Sequence, residues 1–441
     1  MVAVEDFEMR ASRKRRMRFS LILILIALTL SALVGIAFAK SAKKSPDYEQ
    51  LQLFADVFET VRLGYVEKPD EQKLVENAIN GMLTALDPHS NYLDEKTFEG
   101  MRKETQGKFG GVGISITQEE GFVKVMTPID DTPASRAGIL ANDLIVEIND
   151  ESTSGMTLAA AAEKMRGSIG TPVKLTILRG EYKQKLEIKL VRAEIHINSV
   201  RSSKQGGDIG YVRISQFNEE TTDGLRAAML KFQKEIPADK FKGYILDLRN
   251  NPGGLLNQSI QVVNAFMDKG EIVSTRGRTA EETDRYVAIW GGDLSKGKPV
   301  VVLINGGSAS AAEVVAGALQ DHKRATVLGT RSFGKGSVQT IIPLGGNKGA
   351  LKLTTARFFT PSGRSIQAKG IDPDIVVLQD VPDELKGKDD TKGEASLKGH
   401  LKNGDDEKTS SQSYVPTDEK KDKPFLAAIE LLRWGNTPSP K

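Results

Sequence analysis

The 441-residue chain contains no cysteine. That absence removes disulfides, thiolate metal sites and cysteine nucleophiles in one step, although it does not fix the compartment. Histidine is scarce. His89, His196, His322 and His400 are the only four, and none stands at a metal-ligand spacing of the His-Glu-x-x-His kind. This argues against a zinc hydrolase. A net charge of +3 is small for the length, so no nucleic-acid footprint is implied. What remains is a chain of two or three domains, 39% hydrophobic and able to build ordinary cores.

Long apolar runs are also lacking, with one exception at the N-terminus. Arg13, Lys14, Arg15, Arg16 and Arg18 precede an apolar stretch over 19–39, broken only by Ser20, Thr29, Ser31 and Gly35. Basic residues before such a run orient it with that end in the cytoplasm. Ala37-Phe38-Ala39 fits the small-x-small rule for signal cleavage. The run is also long enough, at about 20 residues, to span a bilayer uncleaved. Export with cleavage is slightly favoured over a retained inner-membrane anchor. Either reading puts the rest of the chain in the periplasm or another extracytoplasmic space.

Beyond 1–39 the pattern divides into a helical segment over 40–106, a strand-rich segment over 107–194, an α/β segment over 195–380, a charged stretch over 381–423 and a final helix and tail over 424–441. Leu51, Phe54, Val57, Phe58 and Val61 recur at helical spacing, and a second helix over 71–86 is stopped by Asp87-Pro88. Two readings stay open for this segment: a cap on its own chain, or an arm that joins a second copy. In 107–194, short strands surround one helix over 157–166 that ends at Gly167. The run 137–145 resembles the core of a PDZ domain. Gly111, Val112, Gly113 and Ile114 resemble its carboxylate-binding loop, whose successive amides cradle a peptide C-terminus while the next strand takes the peptide as an added strand. From 208 to 377, strands alternate with helices, which argues for a parallel or mixed sheet with crossover helices. The stretch 382–423 is rich in Lys, Asp, Glu, Gly and Ser and reads as a flexible linker.

Two residues stand out in the α/β segment. Ser310 follows the apolar run Val300–Ile304 at a turn into a helix, and Lys335 lies 25 positions later between Gly334 and Gly336. A serine at a helix start has free amides nearby for a developing oxyanion. Ser310-x-x-Glu313 is equally a capping box, and on that motif alone the cap is the better reading. Lys335 shifts the balance. A lysine acts as base only when neutral, which needs its pKa lowered by roughly three units from about 10.4. Burial supplies such a shift. The glycine-lysine loop is superficially similar to a P-loop but lacks the Gly-x-x-x-x-Gly-Lys-Ser/Thr spacing.

Gln339 is four residues beyond Lys335 and would position the amine only through a bend, since a regular strand separates the two by about 13 Å. The loop Asn251-Pro252-Gly253-Gly254 is a candidate oxyanion hole through the amide of Gly253 or Gly254, together with that of Ala311. His322 lies roughly 18 Å along the helix from Ser310 and is excluded as the base. His89 reads as part of a turn.

With these residues placed, residues 48–378 resemble a C-terminal processing peptidase, also called a tail-specific protease. The resemblance rests on Leu86-Asp87-Pro88-His89-Ser90, the PDZ-like stretch, Asp247-Leu248-Arg249-x-Asn251-Pro252-Gly253-Gly254, Ser308-Ala309-Ser310-Ala311-Ala312-Glu313 and Phe333-Gly334-Lys335-Gly336. It implies an α/β fold with a crotonase-like protease core, an inserted PDZ domain and an N-terminal helical segment. It implies a Ser310–Lys335 dyad assisted by Gln339, and a regulatory role for Arg166 at the end of the PDZ helix. No metal or organic cofactor is required. The partners it implies are protein or peptide substrates with exposed apolar C-termini; membrane anchoring rests on the N-terminal run alone, and a second copy or an activating partner protein stays open. The chain is thus expected to be an exported serine endopeptidase. A catalytically silent PDZ scaffold on the same fold is the alternative, and an acyl-CoA enzyme fits the fold but not the serine-lysine pair.

Overall fold

The computed structural model describes residues 46–435 apart from 120–121, 130, 141, 157, 180–183, 197, 384–389 and 410. The signal or anchor reading of 1–39, the first residue of the expected helix 157–166 and the tail beyond 435 lie outside the described residues. Among the described residues, no helix is long and apolar enough to cross a membrane. The chain forms two compact units, Met1–Ala78 and Ile79–Lys441. In the first, the helix Pro46–Gly64 carries the expected apolar stripe, and Leu51, Phe54 and Val57 on it are exposed.

In the second unit the PDZ-like segment is an antiparallel sheet in the order Ile114–Glu119, Phe122–Pro128, Leu144–Ile148, Pro172–Arg179, Gln184–Val191. Alternation along the strands sends Val173, Leu175 and Ile177 inward. They meet Val123, Val125, Ile145 and Ile148, and Ala161 and Met165 from the helix Leu158–Met165. A short ladder between Lys108–Gly111 and Ala193–His196 closes the base of this module.

The α/β segment is built on a six-stranded sheet in the order Val200–Gln205, Ile209–Ile214, Gly243–Asp247, Val300–Ile304, Thr326–Gly329, Ile375–Val376. Its first pair is antiparallel and every later pair is parallel. Gly243–Asp247 and Val300–Ile304 are buried at every position, as continuous apolar runs in the middle of a parallel sheet should be. One face packs against Thr221–Glu235, Leu256–Asn264 and Ala311–Asp321 through Leu225, Val262 and Val315. The other face, with Ile245, Val301 and Leu303, is covered by Phe425, Ala427 and Ala428 of the helix Lys423–Trp434. A second, antiparallel sheet of five strands joins Asn91–Leu93, Glu271–Arg276, Thr283–Val287, Ser337–Pro343 and Ala350–Phe359.

The charged stretch expected to be a flexible linker is instead laid on the core where it is described. Asp390–Thr391 pairs with Ser411–Gln412. The Gln412 carbonyl accepts from Gly306 N–H at 2.9 Å and Thr330 Oγ1 at 2.8 Å, and the Ser413 carbonyl accepts from Asn305 Nδ2 at 2.9 Å. Glu394 is fully buried. Polar groups of the core satisfy this segment, so its low apolar content did not prevent docking.

The final helix is anchored by charge as well as by apolar contact. Asp422 caps it, accepting from Phe425 N–H at 3.1 Å, and also accepts from Arg249 Nη1 at 2.7 Å. Arg249 in turn donates to both oxygens of Asp247, at 3.0 and 2.7 Å. All three side chains are buried. Asp422→Ala is expected to lose about 2–4 kcal/mol of unfolding free energy, combining a lost cap with a charge-assisted hydrogen bond. Urea unfolding followed by circular dichroism would measure this, and a loss below about 0.5 kcal/mol would show that the docked helix does not depend on the pair.

Candidate active site

The strand Val300–Ile304 ends in the turn that presents Ser310. Asn305 fixes this turn: its Oδ1 accepts from Asn250 N–H at 2.9 Å and Gly307 N–H at 3.0 Å. Ser308 is buried and donates its hydroxyl to the Leu248 carbonyl at 2.8 Å. Ser310 itself has φ 55° and ψ −114°, a backbone conformation that L-residues rarely adopt. Strain of this kind costs about 1–3 kcal/mol and persists only where the surroundings impose it. Ser310 is partly exposed at the start of the helix Ala311–Asp321.

The sequence left open whether this serine is only a cap. Ser310 and Glu313 do take up the capping-box arrangement. The Ser310 N–H donates to Glu313 Oε2 at 2.7 Å, while the Glu313 N–H goes to the Ser310 backbone carbonyl at 2.9 Å. No capping hydrogen bond is made by the Ser310 side chain. The Glu313 carboxylate satisfies the N–H of Ser310, the residue that opens the helix.

Glu313 also holds the lysine loop. Its Oε1 accepts from Ser332 Oγ at 2.6 Å and Gly334 N–H at 2.7 Å, and its Oε2 accepts from Lys335 N–H at 2.9 Å. A further bond runs from Phe333 N–H to the Ser308 carbonyl at 2.9 Å. One buried carboxylate therefore ties the backbone of Ser310 to that of Lys335. Burial pushes the Glu313 carboxyl up to about 7, against the donors of Ser332, Gly334, Ser310 and Lys335, which favour the anion.

The rest of the lysine loop is held as firmly. Gly336 N–H donates to Gln367 Oε1 at 3.1 Å, and a Cβ at Gly336 would lie 2.2 Å from the Gln367 backbone nitrogen, so only glycine fits. Gln367 Nε2 donates to Glu394 Oε1 at 3.0 Å, and the Glu394 N–H donates to the Phe333 carbonyl at 3.0 Å. His89 Nε2 pairs with the same Glu394 carboxylate at 2.9 Å. The Lys335 amine is pushed below the usual lysine range by burial first and by the nearby Lys352 charge second, with Glu394, Glu313 and Asp87 acting the other way. Among the described residues no hydrogen bond joins Ser310 Oγ to Lys335 Nζ.

Two expectations need correction. Gln339 does not reach the lysine: its Nε2 donates to Ser337 Oγ at 2.9 Å and Thr354 Oγ1 at 3.1 Å. Thr354 Oγ1 donates in turn to Asp87 at 3.0 Å, and Asp87 also accepts from His89 N–H, Ser90 N–H and Ser90 Oγ at 2.7–3.0 Å. Burial opposes ionisation of Asp87, but the Ser90, His89 and Thr354 donors hold its carboxyl below the usual range. The second correction concerns Gly253, whose amide is committed to Asn251 Oδ1 at 2.9 Å. The amides of Gly254 and Ala311 donate to no acceptor among the described residues. Gly253 still has a steric role, since a Cβ there would lie 2.8 Å from the Ser310 Cβ.

The PDZ loop has its carbonyls tied inward. Val112 C=O accepts from Ala134 N–H at 2.9 Å, and Gly113 C=O from Ile129 N–H at 2.9 Å and Thr132 Oγ1 at 3.2 Å. Gly111 pairs with Ala193 at one end of the loop and Ile114 with Pro128 at the other. The Val112 and Gly113 amides donate to nothing among the described residues. Arg166 stacks its guanidinium 4.7 Å from the centre of the Phe109 ring, two residues before this loop. His322 pairs with the Glu271 carbonyl at 2.6 Å at the far end of its helix.

Three family models match the chain: peptidase family S41 over residues 208–377, a PDZ domain over 124–179 and the activating protease CtpB N-terminal domain over 34–97. A carboxy-terminal-processing protease of Bartonella bacilliformis is 53% identical over 410 residues, covering 92% of this chain and 94% of that protein. The chain belongs to the C-terminal processing peptidases. The carboxy-terminal processing protease CtpB of Bacillus subtilis is 36% identical over 326 residues, covering 73% of this chain and 66% of that one. Among solved structures, a photosystem II D1 C-terminal processing protease is 30% identical, with a TM-score of 0.43, covering 74% of this chain and 92% of that chain.

For a serine-type peptidase of this family, the sequence reading missed the positioning groups. Glu313 was read as a capping partner, yet it is the only charge in 311–320 and sits in a helix buried from Ala311 to Leu319. An acidic residue alone among Ala and Val is the available signal. Glu394 and Asp422 carried none, because both lie in a charged stretch. Glu313→Gln keeps the shape but replaces an acceptor oxygen with a donor that faces N–H groups. Peptide hydrolysis is expected to fall about 100-fold, mainly in kcat, as the two loops lose register. Steady-state kinetics would check this, and a variant within threefold of the parent would rule out the positioning role.

Proposed function

We propose that this C-terminal processing peptidase is an exported serine endopeptidase that captures substrate C-termini with its PDZ domain and cleaves with Ser310 as nucleophile and Lys335 as general base. The observation that carries the reading is the Glu313 carboxylate, which fixes the Ser310 and Lys335 backbones to one another. Ser310 Oγ attacks the peptide carbonyl and passes its proton to the neutral Lys335 amine, giving a tetrahedral oxyanion; the Lys335 ammonium then protonates the amine of the breaking C–N bond, which departs and leaves an acyl-enzyme that water hydrolyses. The free Ala311 and Gly254 amides are the candidate donors to the oxyanion. Gln339 assists through Ser337 and Thr354 rather than by touching the amine. Export rests on the basic residues 13–18 ahead of the apolar run 19–39.

The Val112 and Gly113 amides fit a terminal carboxylate, and Ile114, Ile116 and Leu158, packed around the PDZ core, fit apolar side chains beside it. Arg166 would sense occupancy of the loop through Phe109, a reading supported by the stacking of its guanidinium on that ring.

Ser310→Ala and Lys335→Ala are each expected to lower kcat on a peptide with an apolar C-terminus by at least about 1,000-fold. Undiminished cleavage by both would sink the dyad. The pH profile adds a sign. Because the base must be neutral, kcat/KM rises with pH, with a midpoint below the value of about 10.4 for a free lysine. Lys352→Gln removes a like charge and moves this limb to higher pH, and Glu394→Gln removes an opposite charge and moves it lower. A limb unmoved by either would point to another titrating group.

A further inference from the structure

The strand Ala350–Phe359 is paired along one side with Ser337–Pro343. On its other side, Asn91–Leu93 covers 350–352 and Glu271–Arg276 covers 357–359. Residues 353–356 between them have no strand on that side among the described residues. Only the Thr354 N–H is taken there, by Ser90 Oγ at 3.0 Å. A cavity of about 550 Å³ opens over this gap, walled by the turn Gly277-Arg278 and by Leu401.

The charge around this cavity is unbalanced. Arg276 and Arg357 stand directly opposite one another in the ladder, and Arg278 lines the same cavity. Like charges in facing positions destabilise a sheet. No carboxylate forms an ion pair with any of the three among the described residues. Arg276 stacks on the Phe359 ring at 3.9 Å, and Arg357 Nη1 donates to the Lys402 carbonyl at 3.2 Å. Glu282 also lines the cavity, but its Oε2 accepts from the Arg278 and Thr279 backbone N–H groups at 2.6 and 3.4 Å.

The cavity adjoins the proposed catalytic strand. Ser337 faces Arg357 across the ladder, and Thr354 accepts from Gln339. We infer that this slot is a substrate subsite for an acidic stretch of the polypeptide being cleaved, whose carboxylates offset the facing arginines. The inference rests on the peptidase reading and adds a charge preference that the PDZ groove does not supply. A slot open between two strand ends suits an extended chain, and its unpaired guanidiniums suit carboxylate side chains.

The test uses the full chain carrying Ser310→Ala, so that peptide is bound and not consumed. Two labelled peptides share one apolar C-terminus, and one has Glu where the other has Gln at alternate interior positions. Fluorescence anisotropy at low salt is expected to show the Glu peptide binding about fivefold more tightly, a preference that shrinks as salt is raised. Adding Arg276→Gln and Arg278→Gln should bring the ratio of affinities toward one. Equal affinities in the Ser310→Ala protein, or a preference that survives loss of both arginines, would overturn the subsite. Because binding is read without the Ser310 hydroxyl, failure of the dyad in turnover assays leaves this readout intact. Failure of the subsite likewise leaves turnover of the Gln peptide intact.

Discussion

One buried carboxylate organises this site. Glu313 accepts four hydrogen bonds of 2.6–2.9 Å, from Ser310 N–H, Ser332 Oγ, Gly334 N–H and Lys335 N–H. An isolated carboxylate in such a place would be strongly disfavoured, and it is tolerable only because the donors of two loops converge on it. The dependence runs both ways. The loops need an acceptor for amides that no strand or helix satisfies, and the acceptor needs the loops. Neither the serine turn nor the lysine loop can shift far without orphaning a buried polar group, so the two candidate catalytic residues move as a unit. The unusual backbone of Ser310 occurs at the residue whose N–H makes one of these bonds.

Around this centre the chain recruits polar groups from distant parts of its length. Asp87 and Ser90 reach the strand beyond the lysine through Thr354. Glu394 reaches the lysine loop through Phe333 and Gln367, and His89 joins the same carboxylate. Asp422 reaches the loop after Gly243–Asp247 through Arg249. Each link is a charged or amide side chain satisfied on several sides, and removing one exposes the next. Where it is described, the segment beyond residue 380 packs on the α/β segment. It supplies the covering helix for one sheet face and a carboxylate beside the lysine.

The sequence made the framework legible because periodicity and burial agree there. The continuous apolar run 300–304 became a central strand, and the short strands around one helix became the PDZ sheet. Ser310 and Lys335 stood out as candidates because each sits beside small residues in a turn with a distinct chemical reading. Their connection did not. It runs through backbone amides to Glu313, and sequence spacing carries no information about which carboxylate a loop amide will find. The partners of Gln339 were not legible for a related reason: nothing in Ser337-Val338-Gln339 announces that its amide donates to Ser337 and Thr354. The docked tail was missed because composition weighs apolar burial alone, whereas 390–413 is held by Gln367, Asn305 and Thr330.

The electrostatics of Lys335 are a balance of opposed influences. Burial and Lys352 disfavour its charge, and Glu394, Glu313 and Asp87 favour it. Carboxylates near a base that must be neutral look like a poor arrangement, yet each is spent elsewhere: Glu313 on four donors, Glu394 on Gln367 and His89, Asp87 on His89, Ser90 and Thr354. On the proposed dyad, this environment would have to accept the ammonium formed when the serine gives up its proton. Burial alone would make a lysine neutral but a reluctant proton acceptor. Burial opposed by bound carboxylates lowers the resting charge while keeping the charged state within reach, and a general base working near neutral pH needs both.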